Sequence, residues 1–186
     1  MPVQELPPGW ATNPSAWPKR VALAALALAG LIISTYLTLY QVKLIGSVWD
    51  PAFPSGSPAV LSWTKPVPDA AFGVGAYAAE IVLSFIGNAG RWRSRPWPPV
   101  AFGAVAAIGA VTSVILMISQ PVAVGHWCTL CLASAGISLV VFAWGIDEPL
   151  AALQHVARVS SSRRSLWRAL RGGRAGSLER QPSAAR

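Results

Sequence analysis

Residues 21–42 read VALAALALAGLIISTYLTLYQV, and this stretch decides the class of the fold. It contains no charged side chain, and it is long enough to cross the hydrocarbon core of a bilayer, which takes about 20 apolar residues in a helix. A cleavable signal peptide has a shorter apolar core that ends in small residues. This run ends in Tyr36, Tyr40 and Gln41 instead, so we expect an uncleaved first membrane span.

The composition of the whole chain is that of a membrane protein. Of 186 residues, 53% are hydrophobic and 12% are charged, and the mean hydropathy is +0.47. A soluble domain carries about 25% charged residues. The formal net charge is +8, but the basic residues are confined to the ends and one loop, so we expect no nucleic-acid partner. Two cysteines and two separated histidines offer no convincing zinc site, so we expect no metal.

Three more apolar segments follow the first, at residues 70–86, 99–118 and 127–146, and each is long enough for a further span. Residues 43–69 are polar and rich in Pro, Gly and Ser, which predicts an ordered loop without a long helix. The sequence therefore predicts an all-α integral membrane protein. Its domain, residues 19–147, is expected to be a four-helix bundle with four transmembrane helices.

The segments that flank this domain differ from it in composition. Residues 1–18 are rich in Pro, Trp and small polar residues, which predicts a mobile cytoplasmic leader. Residues 148–159 begin with an acidic residue and Pro and place Leu150 and Leu153 at helical spacing, so we expect an amphipathic helix at the membrane interface. The Arg-rich residues 160–186 are predicted to form a disordered cytoplasmic tail that binds lipid headgroups or simply fixes the topology.

The distribution of positive charge predicts the orientation in the membrane. Of the 15 Lys and Arg residues, 13 lie before the first span, between the second and third, or after the fourth. The other side has only Lys43 and Lys65. Because cytoplasmic loops carry the excess of Lys and Arg, both termini are expected in the cytoplasm and the loop at residues 43–69 outside it. The protein is thus predicted to be a multi-pass protein of the cell membrane.

The only cysteines, Cys128 and Cys131, open the fourth span at its predicted extracytoplasmic end. Residues three apart share one face of a helix, so the two sulfurs are close enough for a disulfide. Unpaired amides at a helix start favour the thiolate of Cys128, which is expected to be reached from water, whereas Cys131 lies one turn deeper. This asymmetry suits electron exchange between a water-side thiol and a carrier dissolved in the membrane. The alternative is that two small residues pack in a buried helix.

Two more residues are candidates for proton transfer. Glu80 lies within the second apolar segment, and an intramembrane acid either handles protons or bonds a neighbouring polar group. His126, two residues before Cys128, either assists the thiols or is an ordinary solvated loop histidine.

Several motifs resemble the vitamin K epoxide reductase family. Residues 30–36, GLIISTY, are similar to the Gly-Leu-x-x-Ser-x-Tyr pattern of the family's first helix. Phe72-Gly73 opens the second helix where the family has Asn-x-x-Phe-Gly, and Cys128-Thr129-Leu130-Cys131 opens the fourth where the family has its redox Cys-x-x-Cys. The resemblance covers about residues 18–147.

The resemblance implies a bundle around a quinone pocket. By this analogy Cys131 meets a quinone of the menaquinone or ubiquinone type, and Phe72 and Gly73 help to form its pocket. Cys128 exchanges disulfides with an extracytoplasmic, thioredoxin-like protein. A bacterial plasma membrane is the location that the family implies.

The chain also departs from the family pattern. Trp49 and Ser57 stand at the spacing of a second cysteine pair that the family usually carries in the first loop. Asp69 takes the place of an asparagine that bonds the quinone, and Ala135 that of a tyrosine that lines the pocket in some members. The leading hypothesis is therefore a membrane thiol–quinone oxidoreductase without the internal relay. The alternative is a non-catalytic membrane scaffold or accessory protein.

Overall fold

The computed structural model describes residues 6–7, 9–63 and 67–160. The prediction of an all-α fold is confirmed for these residues. In chain order the helices are α1 Trp17–Gln41, α2 Gly56–Trp63, α3 Asp69–Phe85, α4 Arg91–Ser94, α5 Trp97–Ser119, α6 Thr129–Gly145 and α7 Asp147–Ser160. A π-helical turn, Gln120–Val124, extends α5.

Helices α1, α3, α5 and α6 pack as a closed ring in which α1 contacts α3 and α6, and α5 contacts the same two helices. Gly30 lets α1 and α3 approach closely, because a Cβ at this position would lie 2.4 Å from the ring of Tyr77. Gly145 has the same role between α6 and α5, where a Cβ would lie 2.8 Å from the ring of Phe102. The side chains of Tyr77 and Phe102 therefore pack directly against glycine backbone, and these contacts hold neighbouring helices together.

Two of these helices are long and apolar enough to cross a membrane: α1, and α5 together with its π-helical turn. Helices α6 and α7 would count as a third candidate if they form one span bent by 42°. Helix α3 has 17 residues, a length of about 25 Å at 1.5 Å per residue, slightly less than the hydrocarbon core. The chain is a helical membrane protein, and the prediction of four spans stays a prediction.

Pro121 and Gly125 determine the path of the backbone between α5 and α6. Pro121 has no amide hydrogen to continue the α-helical ladder, and the backbone widens into the π-helical turn at this point. Gly125 then has φ 69°, a left-handed conformation that glycine adopts without strain. This change of direction delivers the chain to the start of α6.

The second half of the predicted leader packs against the bundle, and its mobility stays a prediction. The Asn13 side chain donates to the Ala89 carbonyl at 2.9 Å, and the buried Ser15 hydroxyl donates to Glu148. Residues 1–5 and 8 of the leader lie outside the described residues, as do residues 161–186 of the predicted tail.

Two basic residues that the sequence marks only as topology signals are buried. Arg91 forms a two-pronged ion pair with Glu148, with both N···O distances at 2.6 Å. Arg20 donates to the carbonyl oxygens of Ser84 at 2.7 Å and Ile86 at 3.1 Å. These carbonyls end α3, and cations are favourable there because a helix C-terminus carries partial negative charge. The two arginines therefore hold together the end of the bundle opposite to the cysteines.

Helix α7 packs on α5 through small residues. Ala151, Ala152 and Val156 are buried, whereas Leu150 and Leu153 are exposed. The two leucines form an apolar stripe on the outside of the molecule, which is the surface that an interfacial helix needs. The location of α7 at the membrane interface stays a prediction.

Candidate redox site

Cys128 and Cys131 are joined by a disulfide, with their Cα atoms 5.2 Å apart. Cys128 is the N-cap of α6, and its extended backbone turns the sulfur back over the first turn of that helix. The Cys131 amide donates to this sulfur at 3.1 Å. The sulfur of Cys128 thus takes one of the amides that a helix start leaves unpaired.

Cys128 is 0% exposed, so the expectation that this thiol is reached from water is wrong for this conformation. The loop helix α2 covers it. Gly56 at the start of α2 is so close to the chain before Cys128 that a Cβ on it would lie 1.7 Å from the carbonyl oxygen of Trp127. The hydroxyl of Ser57 reaches the sulfur of Cys128 at 3.1 Å. Sequence reasoning missed this cover because a short helix in a Pro-rich loop has no periodic signal.

Asp50 fastens the cover to α6. Its carboxylate accepts hydrogen bonds from Ser57 at 2.5 Å and from the Thr129 amide at 2.9 Å. The Thr129 hydroxyl and the amides of Ala52 and Phe53 donate to the same carboxylate. Burial raises the pKa of Asp50, but these hydrogen bonds outweigh it and hold the pKa well below its usual range. The carboxylate is therefore charged, and it links the loop to the start of α6.

A cavity of about 270 Å³ lies among α1, α3, α5 and α6. The predicted site residues Asp69, Phe72, Gly73, Glu80, Cys131 and Ala135 all line it. Its wall is mostly apolar, as in sites for small organic ligands. The structure therefore brings one sulfur of the pair to the cavity and covers the other with the loop. His126 does not line the cavity and is exposed.

Asp69 and Gln120, two polar residues that line the cavity, both have hydrogen-bond partners. The Gln41 side chain donates to Asp69 and accepts from the Ala70 amide at 3.1 Å. Gln120 accepts from the Cys128 amide at 2.9 Å. One oxygen of Asp69 thus accepts a hydrogen bond from Gln41. Phe72 is 71% exposed, so only part of this residue contributes to the wall.

Within the cavity lining, a row of hydroxyl groups connects three helices. The Tyr77 hydroxyl donates to the Ser134 carbonyl at 2.7 Å and lies 2.8 Å from the Ser138 hydroxyl. The Ser34 and Ser134 hydroxyls are 3.4 Å apart. The spacing of Ser134 and Ser138, one turn apart in an apolar helix, was the available sequence signal for this row. In the described part of the chain, no cluster of three His, Cys, Asp or Glu side chains offers a metal site.

The pattern of residues around the cysteines is that of a known family. The sequence model of the vitamin K epoxide reductase family matches residues 21–146. The chain belongs to this family. No curated protein and no solved structure matches it significantly.

The residues that match the vitamin K epoxide reductase family include most of α1, the other three helices of the ring and the cysteine pair. Ser57, at the spacing of the relay cysteine that the family usually carries, lies against the sulfur of Cys128. The side chain at this position therefore contacts the cysteine pair, although it has no sulfur. The companion position, Trp49, is exposed and donates its amide to the Tyr36 hydroxyl at 2.9 Å.

Proposed function

We propose that the protein is a thiol–quinone oxidoreductase that exchanges electrons between an extracytoplasmic, thioredoxin-like protein and a membrane quinone of the menaquinone or ubiquinone type. The observation that carries the proposal is the position of Cys131, which lines an apolar cavity while bonded to Cys128. In this proposal four helices span a bacterial plasma membrane, both termini are cytoplasmic, and the cysteines lie near the outer surface. The family supports the type of chemistry.

The proposed reaction balances without another reagent. The Cys128 and Cys131 thiols give two electrons and two protons to the quinone, which becomes a quinol, and the two sulfurs form a disulfide. A dithiol of the partner then attacks Cys128, reduces this disulfide and becomes a disulfide itself. The reverse reactions carry electrons from quinol to the partner.

The partner needs a route to a covered sulfur. Because Ser57 and Asp50 hold α2 over Cys128, attack on this sulfur requires α2 to move away. We therefore include the opening of α2 in the proposal. Cys131 needs no such movement to meet a ligand in the cavity.

The experiment uses the full-length protein in lipid nanodiscs, reduced with a phosphine that is then removed. After addition of 2-methyl-1,4-naphthoquinone, quinol absorbance and thiol alkylation should show about one quinol and one disulfide per protein. Cys128→Ser and Cys131→Ser should each abolish quinol formation, and Ser55→Ala in the exposed part of the loop should not. If the double Cys→Ser variant retains full activity, the proposal is wrong.

The second candidate is a non-catalytic membrane scaffold, which the burial of Cys128 and the loss of the loop cysteines favour. A scaffold would leave both thiols reduced when quinone is added. Trapping separates the roles of the cysteines: the Cys128 thiol of Cys131→Ser should attack the disulfide of an oxidised thioredoxin-like protein and form a mixed disulfide, which releases the partner's other sulfur as a thiol, and Cys128→Ser should not.

A further inference from the structure

Glu80 is a buried acid for which the fold provides incomplete hydrogen bonding. Its side chain is 2% exposed, and its Oε2 atom has no hydrogen-bond partner among the described residues. The residue also lines the cavity that contains Cys131. A buried carboxylate oxygen without a donor is costly, so most proteins satisfy it.

The two hydroxyl groups one turn from Glu80 on α3 are engaged elsewhere. The Ser84 hydroxyl donates to the backbone carbonyl of Glu80, at 2.7 Å, and not to the carboxylate. Tyr77, one turn before Glu80, donates its hydroxyl proton to the Ser134 carbonyl. The cavity is therefore the place from which a donor can reach the carboxylate.

Glu80 is displaced from Cys131 along the axis of the bundle. Tyr77 bonds to Ser138, which is seven residues after Cys131, or about 10 Å along the axis of α6. Glu80 is one turn beyond Tyr77, and helical side chains lean towards the N-terminus, which for α3 is the Asp69 end. A ring held between the sulfur and the carboxylate would have one polar edge near each.

The two redox forms of such a ring differ in hydrogen bonding. A quinone oxygen only accepts hydrogen bonds, whereas each quinol hydroxyl also donates one. We infer that Glu80 is a binding site for a quinol hydroxyl, so that the cavity binds the reduced form more tightly than the oxidised form. This inference rests on the proposed function and specifies which redox form of its substrate the site prefers.

The inference adds no reagent to the reaction. When the two thiols reduce the quinone, both protons and both electrons pass from sulfur to the ring, and the disulfide forms. One of the new O–H groups then donates to Glu80, whose own proton count does not change. Tighter binding of the quinol shifts the equilibrium on the protein towards quinone reduction.

The test measures the binding of both forms of one soluble ligand. The full-length protein carries Cys128→Ser and Cys131→Ser, so neither form reacts, and it is placed in nanodiscs without oxygen. The dissociation constants of 2-methyl-1,4-naphthoquinone and its quinol are measured by quenching of tryptophan fluorescence. We expect the quinol to bind about tenfold more tightly, as for one additional hydrogen bond.

In the same background, Glu80→Leu should bring the two dissociation constants to within about twofold of each other, through loss of quinol affinity alone. Val82→Leu, at an exposed position of the same helix, is the matched control and should retain the tenfold preference. Thermal unfolding checks that both variants fold. If Glu80→Leu unfolds, Glu80→Gln is used instead, and it should reduce the preference because an amide also donates to the quinone.

Four results would overturn the inference. An unchanged preference in the folded Glu80 variant means that the carboxylate does not bind the ligand. A selective loss of quinone affinity means that Glu80 acts as a donor. If both forms bind equally to the protein with Glu80 intact, the preference does not exist. If neither form binds even then, the proposed function fails together with the inference.

Discussion

At the scale of single residues, Asp50 determines whether Cys128 is accessible. It is one of two acidic residues between the first and second predicted spans, and its carboxylate joins two separate parts of the chain. Hydrogen bonds to a charged group contribute about 1.5–3 kcal/mol each. Because Asp50 accepts several of them, it stabilises the closed position of α2 more than any one apolar contact of this short helix.

Asp50→Ala should expose Cys128. Loss of the carboxylate removes the bonds from Ser57 and Thr129 and weakens closure by more than about 1.4 kcal/mol, so alkylation of Cys128 should accelerate at least about tenfold. The measurement is the reaction of reduced protein, carrying Cys131→Ser, with a hydrophilic maleimide. Ser55→Ala, in the same loop and exposed, is the control. Equal rates in Asp50→Ala and the control would contradict a clamping role.

Closure should also resist mild acid. The folded-state pKa of Asp50 is depressed, so its contribution is fully present above the ordinary aspartate pKa of about 3.9 and is lost as the pH falls through the lower, folded-state pKa. The fluorescence of the tryptophans near the loop should therefore be constant between pH 7 and pH 4. A transition in this range that Asp50→Asn abolishes would contradict the depressed pKa.

The contact between Ser57 and Cys128 predicts a cross-link. With the hydroxyl oxygen and the sulfur 3.1 Å apart, Ser57→Cys places a third sulfur within reach of Cys128. In a Cys131→Ser background, mild oxidation should join positions 57 and 128 in most molecules, detected by mass spectrometry of unreduced peptides. Ser62→Cys, exposed on the same helix, should give no such cross-link. Equal yields from the two variants would mean that α2 does not cover Cys128.

At the scale of helices, the long apolar segments were predictable and the short ones were not. Every predicted span coincides with a helix, because an uninterrupted apolar run can bury its backbone polar groups only by helix formation. Helices α2 and α4 are too short to produce a periodic pattern, and both lie in polar segments. The cover over Cys128 therefore required the structure, since it depends on contacts between residues 71 positions apart.

The distribution of charged residues along the sequence also does not predict contacts between distant residues. The count of Lys and Arg predicts a side of the membrane, but it does not separate a solvated arginine from a buried one. Arg20 and Arg91 are both buried, and their partners are the end of α3 and Glu148 of α7. These partners come together only when the bundle forms, so composition alone does not reveal them.

The paired acids at the start of α7 should differ in their effect on stability. Glu148→Ala leaves Arg91 buried without its counter-charge, which typically costs about 3–5 kcal/mol. Asp147→Ala removes a partly exposed ion pair with Lys19, which typically contributes less than about 1 kcal/mol. Thermal unfolding in nanodiscs should therefore show a large decrease in Tm for Glu148→Ala and little change for Asp147→Ala. Similar decreases would contradict a structural role for the buried pair.

At the scale of the whole molecule, the number of spans determines on which sides of the membrane the two ends of the chain lie. With four spans both ends are on the same side, and with three they are on opposite sides. Helix α3 decides between these counts because it is short, yet it is part of the closed ring and contacts both α1 and α5. A helix packed between two spanning helices shares their environment, and 17 residues are within the range of known spans. This packing is compatible with four spans, and the number of spans stays a prediction.

Single cysteines in the Cys128→Ser, Cys131→Ser background test this prediction. Ser55→Cys, Ser94→Cys and Gln154→Cys place exposed thiols in the first loop, between α3 and α5, and on α7. A membrane-impermeant maleimide applied to intact cells should label only Ser55→Cys, and lysis should permit labelling of all three. Labelling of Gln154→Cys in intact cells, with Ser55→Cys also labelled, would mean an even number of spans between the loop and α7. Helix α3 would then not cross the membrane, and the cavity beside Cys131 would open to water and not to the quinone dissolved in lipid.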